Sequence, residues 1–310
     1  YETPLVFDNN DLPGVMLGSA VQRLLNLYGV AAGQRSIIIT ANDEGWEVAA
    51  DLRAADIDVA AIVDSRRPDD CTSPHLEDLR DIPTFWGHTI IAAQGSKCVK
   101  GAVIAPIQGH GFDKSRAQNI ACDMVATSIG WTPANGLLCQ SGGQLSYNAE
   151  LSEIVPVKLP VGIYSTGRVN GTHGFQSQSA EGRLTGLSAA AFLGLCEPPS
   201  SRDKAAIDIL RATDAPHSSE LVHVPGKKKR FVCYCEDVTD IDIETAIAEG
   251  YNSIELLKRY STVTMGPCQG MMCSMNTIHL CTLANDATVD ETGTTTSRSP
   301  TSPVSLGALA

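Results

Sequence analysis

Cys233, Cys235, Cys268 and Cys273 fall as a C-x-C pair, thirty-two intervening residues and a C-x4-C pair. No other spacing constrains the chain as much, because two close pairs brought face to face place four thiolates around one centre. Thiolates in fours bind zinc or an iron–sulfur cluster. A zinc knuckle usually separates its cysteines by about two to four residues, so the tighter C-x-C pair points to [2Fe–2S]. A helix starting near Pro267 would carry Cys268 and Cys273 in its first turns, where free N–H groups and the dipole favour thiolates. Gly266 and Gly270 would let the backbone approach sulfide. The alternative is four buried cysteines that hold no metal. Cys71, Cys98, Cys122, Cys139, Cys196 and Cys281 lack partners at ligand spacing and read as core or surface residues.

Composition bounds the rest. The chain has 310 residues, 43% hydrophobic and 19% charged, which suits a soluble two-domain protein with a sizeable core. A net charge of −12 argues against nucleic acid, since phosphate binding needs a basic face. The basic run Lys227–Arg230 reads as solvated. No apolar stretch approaches the roughly 18 residues that span a bilayer, so no membrane association is expected. Ten cysteines without a secretory signal suggest reduced thiols in a cytoplasmic protein. The chain opens on Tyr1 and ends in a Thr/Ser/Pro-rich stretch, 292–304, so it reads as an internal piece of a longer polypeptide.

Leu17, Ala20, Val21, Leu24 and Leu25 have helical spacing after Pro13, with Gly29 or Gly33 as the stop. SIIIT (36–40) suits a buried parallel strand, EGWEVAADLRAAD (44–56) a helix and VAAIVD (59–64) a second strand. Together they make a βαβ unit of a nucleotide-binding fold. HTIIAA (88–93) and KGAVIAPI (100–107) look like a meander, and residues 122–133 like a buried strand running into a turn. Residues 159–171 read as a strand plus glycine-rich turn, 177–195 as a helix and 198–217 as a linker. Thr239 and Asp242 suggest a capping box, Ser253 a second cap and Gly250 a helix stop. Met272, Met275, Ile278 and Leu280 or Cys281 should face inward on a third helix.

The segment Phe231–Cys273 resembles the [2Fe–2S] domain of the bacterioferritin-associated ferredoxin type. Within that type, CEDVT (235–239), LKRYS (257–261) and GPCQGMMC (266–273) resemble the α subunits of multisubunit amine oxidases and dehydrogenases, those of sarcosine, opine and N-methylglutamate. Residues 294–310 are similar to the strip that joins this region, in sarcosine oxidase α, to an aminomethyltransferase-like domain absent here. The cysteines place the resemblance nearer the iron–sulfur-bearing dehydrogenases than the oxygen-using type.

The resemblance implies an α/β fold: partial Rossmann-like FAD/NAD(P)-binding reductase domains followed by a small helical [2Fe–2S] domain. The implied boundaries are 1–30 (connecting helix), 31–132 (inserted NAD-type domain), 133–197 (second part of the FAD-type domain), 198–226 (linker), 227–285 ([2Fe–2S] domain) and 286–310 (linker). DLPGVML (11–17) resembles the lead into the inserted domain, and VATSIGWTP (125–133), with Gly130, its closure. GIYSTGRVNG (162–171), with Gly167, Asn170 and Gly171, resembles the second flavin-domain signature. The implied cofactors are the cluster on the four cysteines, an adenine dinucleotide (NAD or FAD) and FMN at a subunit interface. The implied partner is a flavin-bearing β subunit in which a secondary amine such as sarcosine is oxidised, so no catalytic residue is expected in this chain.

Two departures weaken parts of this. The phosphate turn is TANDEG (40–45), which offers Thr40, Asn42 and Asp43 but only one glycine, Gly45. Asp64, at the end of the second strand, is placed to hold a ribose hydroxyl, while Arg66 and Arg67 could instead accept a 2′-phosphate. Arg168 stands where such flavin domains carry an acidic residue, and a cation there can only pair with phosphate. His110 and His173 read as solvent-exposed or capping residues, Trp46, Trp86 and Trp131 as core or interface, and Lys258-Arg259-Tyr260 as a helix C-terminus rather than a flavin-phosphate contact. A zinc scaffold without redox role and an NAD(P)H-dependent reductase component are the competing functions.

Overall fold

The structure is a computed structural model that describes residues 1–109, 111–213, 226 and 228–309; His110 and Lys227 lie outside them. It divides into two compact units, one of residues 2–131 with 217–295, the other of residue 1, 132–216 and 296–310.

In the first unit β1 (Val15–Leu17) runs directly into α1 (Gly18–Tyr28). The helix expected from Pro13 therefore starts later, because Val15–Leu17 pair in parallel with a strand far along the chain. Gly29 ends α1 at φ 62°, where the left-handed turn lets its N–H reach the Leu25 carbonyl at 3.1 Å. The βαβ unit follows as β2 (Arg35–Thr40), α2 (Glu44–Ala54) and β3 (Asp58–Asp64), then β4 (Thr84–Trp86). The meander is β5 (His88–Gly95), β6 (Val99–Gln108), β7 (Gly111–Phe112) and β8 (Gln118–Ile120), and β9 (Met124–Ser128) returns to the parallel sheet.

The parallel sheet has the order β1-β9-β2-β3-β4 and the antiparallel one is built on β6. Successive residues of β2 point to opposite faces. Ile38 joins Trp46, Leu52, Ile62 and Met124 beneath the helices, whereas Ile37 and Ile39 join Val63, Val125, Ile90 and Ile104 against the meander. A sheet covered on both faces explains why its strands are unbroken apolar runs.

In the second unit α3 (Gly136–Gln140) precedes a hairpin, β10 (Gln144–Asn148) and β11 (Glu153–Lys158). After a 3-10 turn at Gly167–Asn170 come α4 (Phe175–Phe192) and α5 (Ser201–Thr213). No strand forms over residues 159–165, contrary to expectation. Pro160 lacks a ladder donor, Gly162 sits at φ 84°, and Val161 is 88% exposed, so nothing there favours a sheet. Residues 201–213, expected within a linker, are helical, and Ser200 and Asp203 hydrogen-bond reciprocally at its start.

The cysteine region belongs to the first unit: β12 (Phe231–Cys233), β13 (Val238–Thr239), α6 (Asp240–Ala248), α7 (Ile254–Ser261) and α8 (Ser274–Asn285). Thr239 and Asp242 form the expected capping box, Ser253 caps α7, and Gly250 follows α6 at φ 100°. No described helix is long and apolar enough to cross a membrane.

Candidate metal centre and dinucleotide turn

Cys233 closes β12 and Cys235 sits in the turn that follows it. Cys268 lies in the turns before α8, and Cys273 is the residue that caps α8. The helix expected near Pro267 starts only at Ser274, because Gln269 and Gly270 adopt φ 53° and 80°, which break helical geometry. Only Cys273 therefore sits at a helix N-terminus.

The sulfurs meet two by two. Cys233 and Cys273, both buried, share a hydrogen bond, and Cys235 and Cys268, nearer solvent, share another. The bond with Cys273 pulls the Cys233 thiol down to about 6 against burial, with help from the backbone N–H groups of Glu236, Cys235 and Thr264. The same bond, then burial, drives Cys273 upward. On Cys235 the strongest influence, the Cys268 backbone N–H, lowers the thiol. Burial, the Cys268 thiol and the charges of Cys268 and Cys233 outweigh it and raise it.

This donor set fits a sulfide-bridged pair of irons, with two thiolates for each. Backbone N–H groups already point at sulfur, and the Thr264 hydroxyl, 5% exposed, has no hydrogen-bond partner among the described residues although its N–H reaches both Cys233 and Cys273. A Cβ at Gly266 would stand under 3.0 Å from the Cys235 Cβ, so glycine is what lets the two cysteine loops close. Among the described residues no three His, Cys, Asp or Glu side chains converge as a single ion requires.

Buried polar groups fasten the C-x-C strand to the N-terminal segment. The Asn10 amide donates to the carbonyls of Leu5 (3.2 Å) and Phe231 (2.8 Å) and accepts from the Phe231 N–H (2.8 Å). The Tyr234 hydroxyl donates to the Asn10 carbonyl at 3.2 Å. Burial, then the Asp11 charge, pushes the Tyr234 phenol upward. Arg230, read from sequence as solvated, is 3% exposed and pairs with the fully buried Asp240. A buried carboxylate left unpaired would be costly, which explains the location.

The dinucleotide turn is engaged with its own fold. The Thr40 hydroxyl donates within reach of the carbonyls of Asn42 (2.8 Å) and Ser128 (2.9 Å), and lies where a Gly45 Cβ would be, under 3.0 Å away. Asn42 accepts from the Glu44 N–H at 3.1 Å. Asp43 pairs with Arg66 at 2.7 Å and accepts from the Thr72 hydroxyl. Asp64 is fully buried and bound by Arg66 (2.8 Å) and the Trp46 indole (3.0 Å), so a ribose would have to displace Arg66. Trp46 stacks on Trp86 at 5.4 Å, as a core reading expects. Gly130, at φ 138°, has open space where a side chain would be. Glu2, 5% exposed, accepts from the Ser19 N–H at the start of α1, and burial raises its carboxyl.

In the other unit Gly167, Asn170 and Gly171 share one turn. The Gly167 N–H donates to buried Glu181 at 2.8 Å, Asn170 donates to the same carboxylate, and Arg211 pairs with it. His173 does not face solvent: it is 5% exposed, between Arg168 on Nδ1 and Glu153, 3.3 Å from Nε2. Arginine only donates, so Nδ1 accepts from Arg168. Glu153, Glu181 and Arg211 do not stand out from sequence, because isolated charges in a polar stretch carry no local sign of burial. Lys258 and Arg259 lie in the last turn of α7.

Residues 227–310 match the family model described as the sarcosine oxidase A3 domain. The sarcosine oxidase alpha subunit of Rhizobium meliloti (strain 1021) is 36% identical over 99% of this chain and 30% of its own length. An opine oxidase subunit of Agrobacterium tumefaciens (strain Ach5) is 27% identical over 100% of this chain and 67% of its own. The crystal structure of L-proline dehydrogenase from P. horikoshii shares the fold at TM-score 0.74 and 20% identity, covering 100% of this chain and 56% of that one. The chain spans less than a third of the length of the sarcosine oxidase relatives it matches. Over nearly all of its own length the chain is similar to sarcosine oxidase alpha subunits, and residues 227–310 carry the match to the sarcosine oxidase A3 domain model.

Proposed function

We propose that the chain is the electron-transferring part of an α subunit in a flavin-dependent oxidoreductase acting on secondary amines such as sarcosine. The observation that carries this reading is the pairing of four sulfurs, Cys233 with Cys273 and Cys235 with Cys268, within a homologue of amine oxidase subunits. The four cysteines would hold a [2Fe–2S] cluster, which when bound takes up and gives one electron at a time. The chain's own residues do the rest. N–H groups of Cys235, Glu236, Thr264 and Cys268 offset negative charge on sulfur, and Gly266 keeps the two loops in contact. Cys233 and Cys273 are shielded from water while Cys235 is exposed, so a partner would approach from the Cys235 side.

The proposal includes an adenine dinucleotide, NAD or FAD: Thr40, Asn42, Asp43 and Gly130 are the candidate contacts in the first unit, and Gly167, Asn170 and Gly171 are separate candidate contacts in the second. Asp64 would act there through Arg66. FMN at a subunit boundary and a flavin-bearing partner that oxidises the amine complete it. The test is anaerobic iron and sulfide loading followed by dithionite and low-temperature EPR. A reducible binuclear signal, lost in Cys233→Ser and Cys268→Ser, supports the relay. Stoichiometric zinc with no such signal supports a scaffold instead, and bleaching by NADH alone would favour a reductase component.

A further inference from the structure

A cavity of about 320 Å³ lies in the first unit between the N-terminal segment, β1 and β9 on one side and the cysteine loops on the other. This is at the small end of the range for ligand pockets. Its wall is mainly apolar and soft, with Phe7, Met16, Tyr234 and Met272 among the lining residues. Aromatic faces and thioethers favour a flat ring.

The polar part of the wall decides the charge of the occupant. The Asn10 amide spends its donors on Leu5 and Phe231 and its acceptor on the Phe231 N–H. The Tyr234 hydroxyl donates to the Asn10 carbonyl, and the Thr127 hydroxyl points to the Met16 carbonyl at 3.4 Å. Asp11 is the lining group left over: its side chain has no hydrogen bond or ion pair among the described residues, and it is exposed at the rim. Among the lining side chains a quinone carbonyl or a phosphate would therefore meet no unused donor and one carboxylate. A cationic ring would find both a soft apolar wall and a counter-ion.

We infer that this cavity is a binding site for a planar aromatic cation, held by Phe7, Tyr234 and the thioethers and paired with Asp11. The inference stands on the cavity itself and does not depend on what the four cysteines hold. Three bicyclic probes that differ chiefly in charge test it by isothermal titration of the purified protein: N-methylquinolinium, quinoline and quinoline-carboxylate. The cation should bind about ten-fold more tightly than neutral quinoline, and the carboxylate not at all. Asp11→Asn, an exposed change, should erase the preference for the cation while neutral quinoline still binds. Met16→Phe, which fills the cavity, should abolish binding of both, with circular dichroism confirming the fold. Equal affinity for all three probes, no binding of the cation, or an unchanged preference in Asp11→Asn overturns the assignment. The EPR signal of the iron-loaded protein should be the same in Asp11→Asn as in wild type, so failure here is distinguishable from failure of the relay.

Discussion

Replacing Asn10 with alanine would strip three hydrogen bonds from a buried position, leaving the Phe231 N–H and the Leu5 and Phe231 carbonyls unpaired. Each unsatisfied buried group costs about 1–3 kcal/mol, so Asn10→Ala should lose at least about 3 kcal/mol in urea denaturation. Arg66→Leu should do comparable damage by leaving the Asp64 carboxylate buried without its cation, a loss of about 3–5 kcal/mol by the same measurement. Glu2 gives the opposite sign. Burial raises its carboxyl in the folded state, so the folded chain holds that proton more firmly than the unfolded chain. The stability this confers is full below the unfolded value and is lost as pH rises through the folded one. Glu2→Gln keeps an acceptor for the Ser19 N–H, and should be more stable than wild type at pH 7 and equal to it near pH 4 in thermal melts. None of these three roles is legible in sequence. Asn10 sits in a run of turn residues, and its partner Phe231 is 221 positions away. Asp64 is legible as the end of a strand, but not as a residue already engaged by Arg66.

At the scale of elements, sequence patterns match the structure wherever local physics decides the outcome. The Ile37–Ile39 run, the Thr239/Asp242 box, the Ser253 cap and the Gly29 stop all act through neighbours a few residues away. Pattern and structure part where a distant strand or a left-handed residue intervenes. Val15–Leu17 continue a helical pattern but are claimed by β9, and Gln269-Gly270 delay α8 past both expected cysteines. β10 alternates polar and apolar as QLSYN, a period-two signal present in the sequence, whereas β11, EIVPVK, does not. The cysteine loops make a prediction of their own. Gly266→Ala places a methyl under 3.0 Å from the Cys235 Cβ, against a neighbour that is a short cysteine side chain on the opposite loop. Overpacking of this kind costs about 1–3 kcal/mol. The variant should unfold at lower urea and retain less iron after loading than wild type, while Gly29→Ala should lower stability alone.

For the whole molecule, the spacing of four cysteines is the most informative part of the sequence, and it is also where the structure gathers residues from two separated loops. The parallel sheet, its two covered faces and the small helical region are legible from periodicity. The inward commitment of the dinucleotide turn is not, since it depends on Arg66 and Thr72 reaching back from the following loop. Mössbauer spectroscopy of protein loaded anaerobically with isotopically enriched iron and sulfide tests the central claim most directly. The account predicts a spectrum of two sulfur-ligated irons per chain coupled to a diamagnetic ground state when oxidised. A single high-spin iron held by four thiolates, or an iron-free protein carrying zinc at that site, would contradict it.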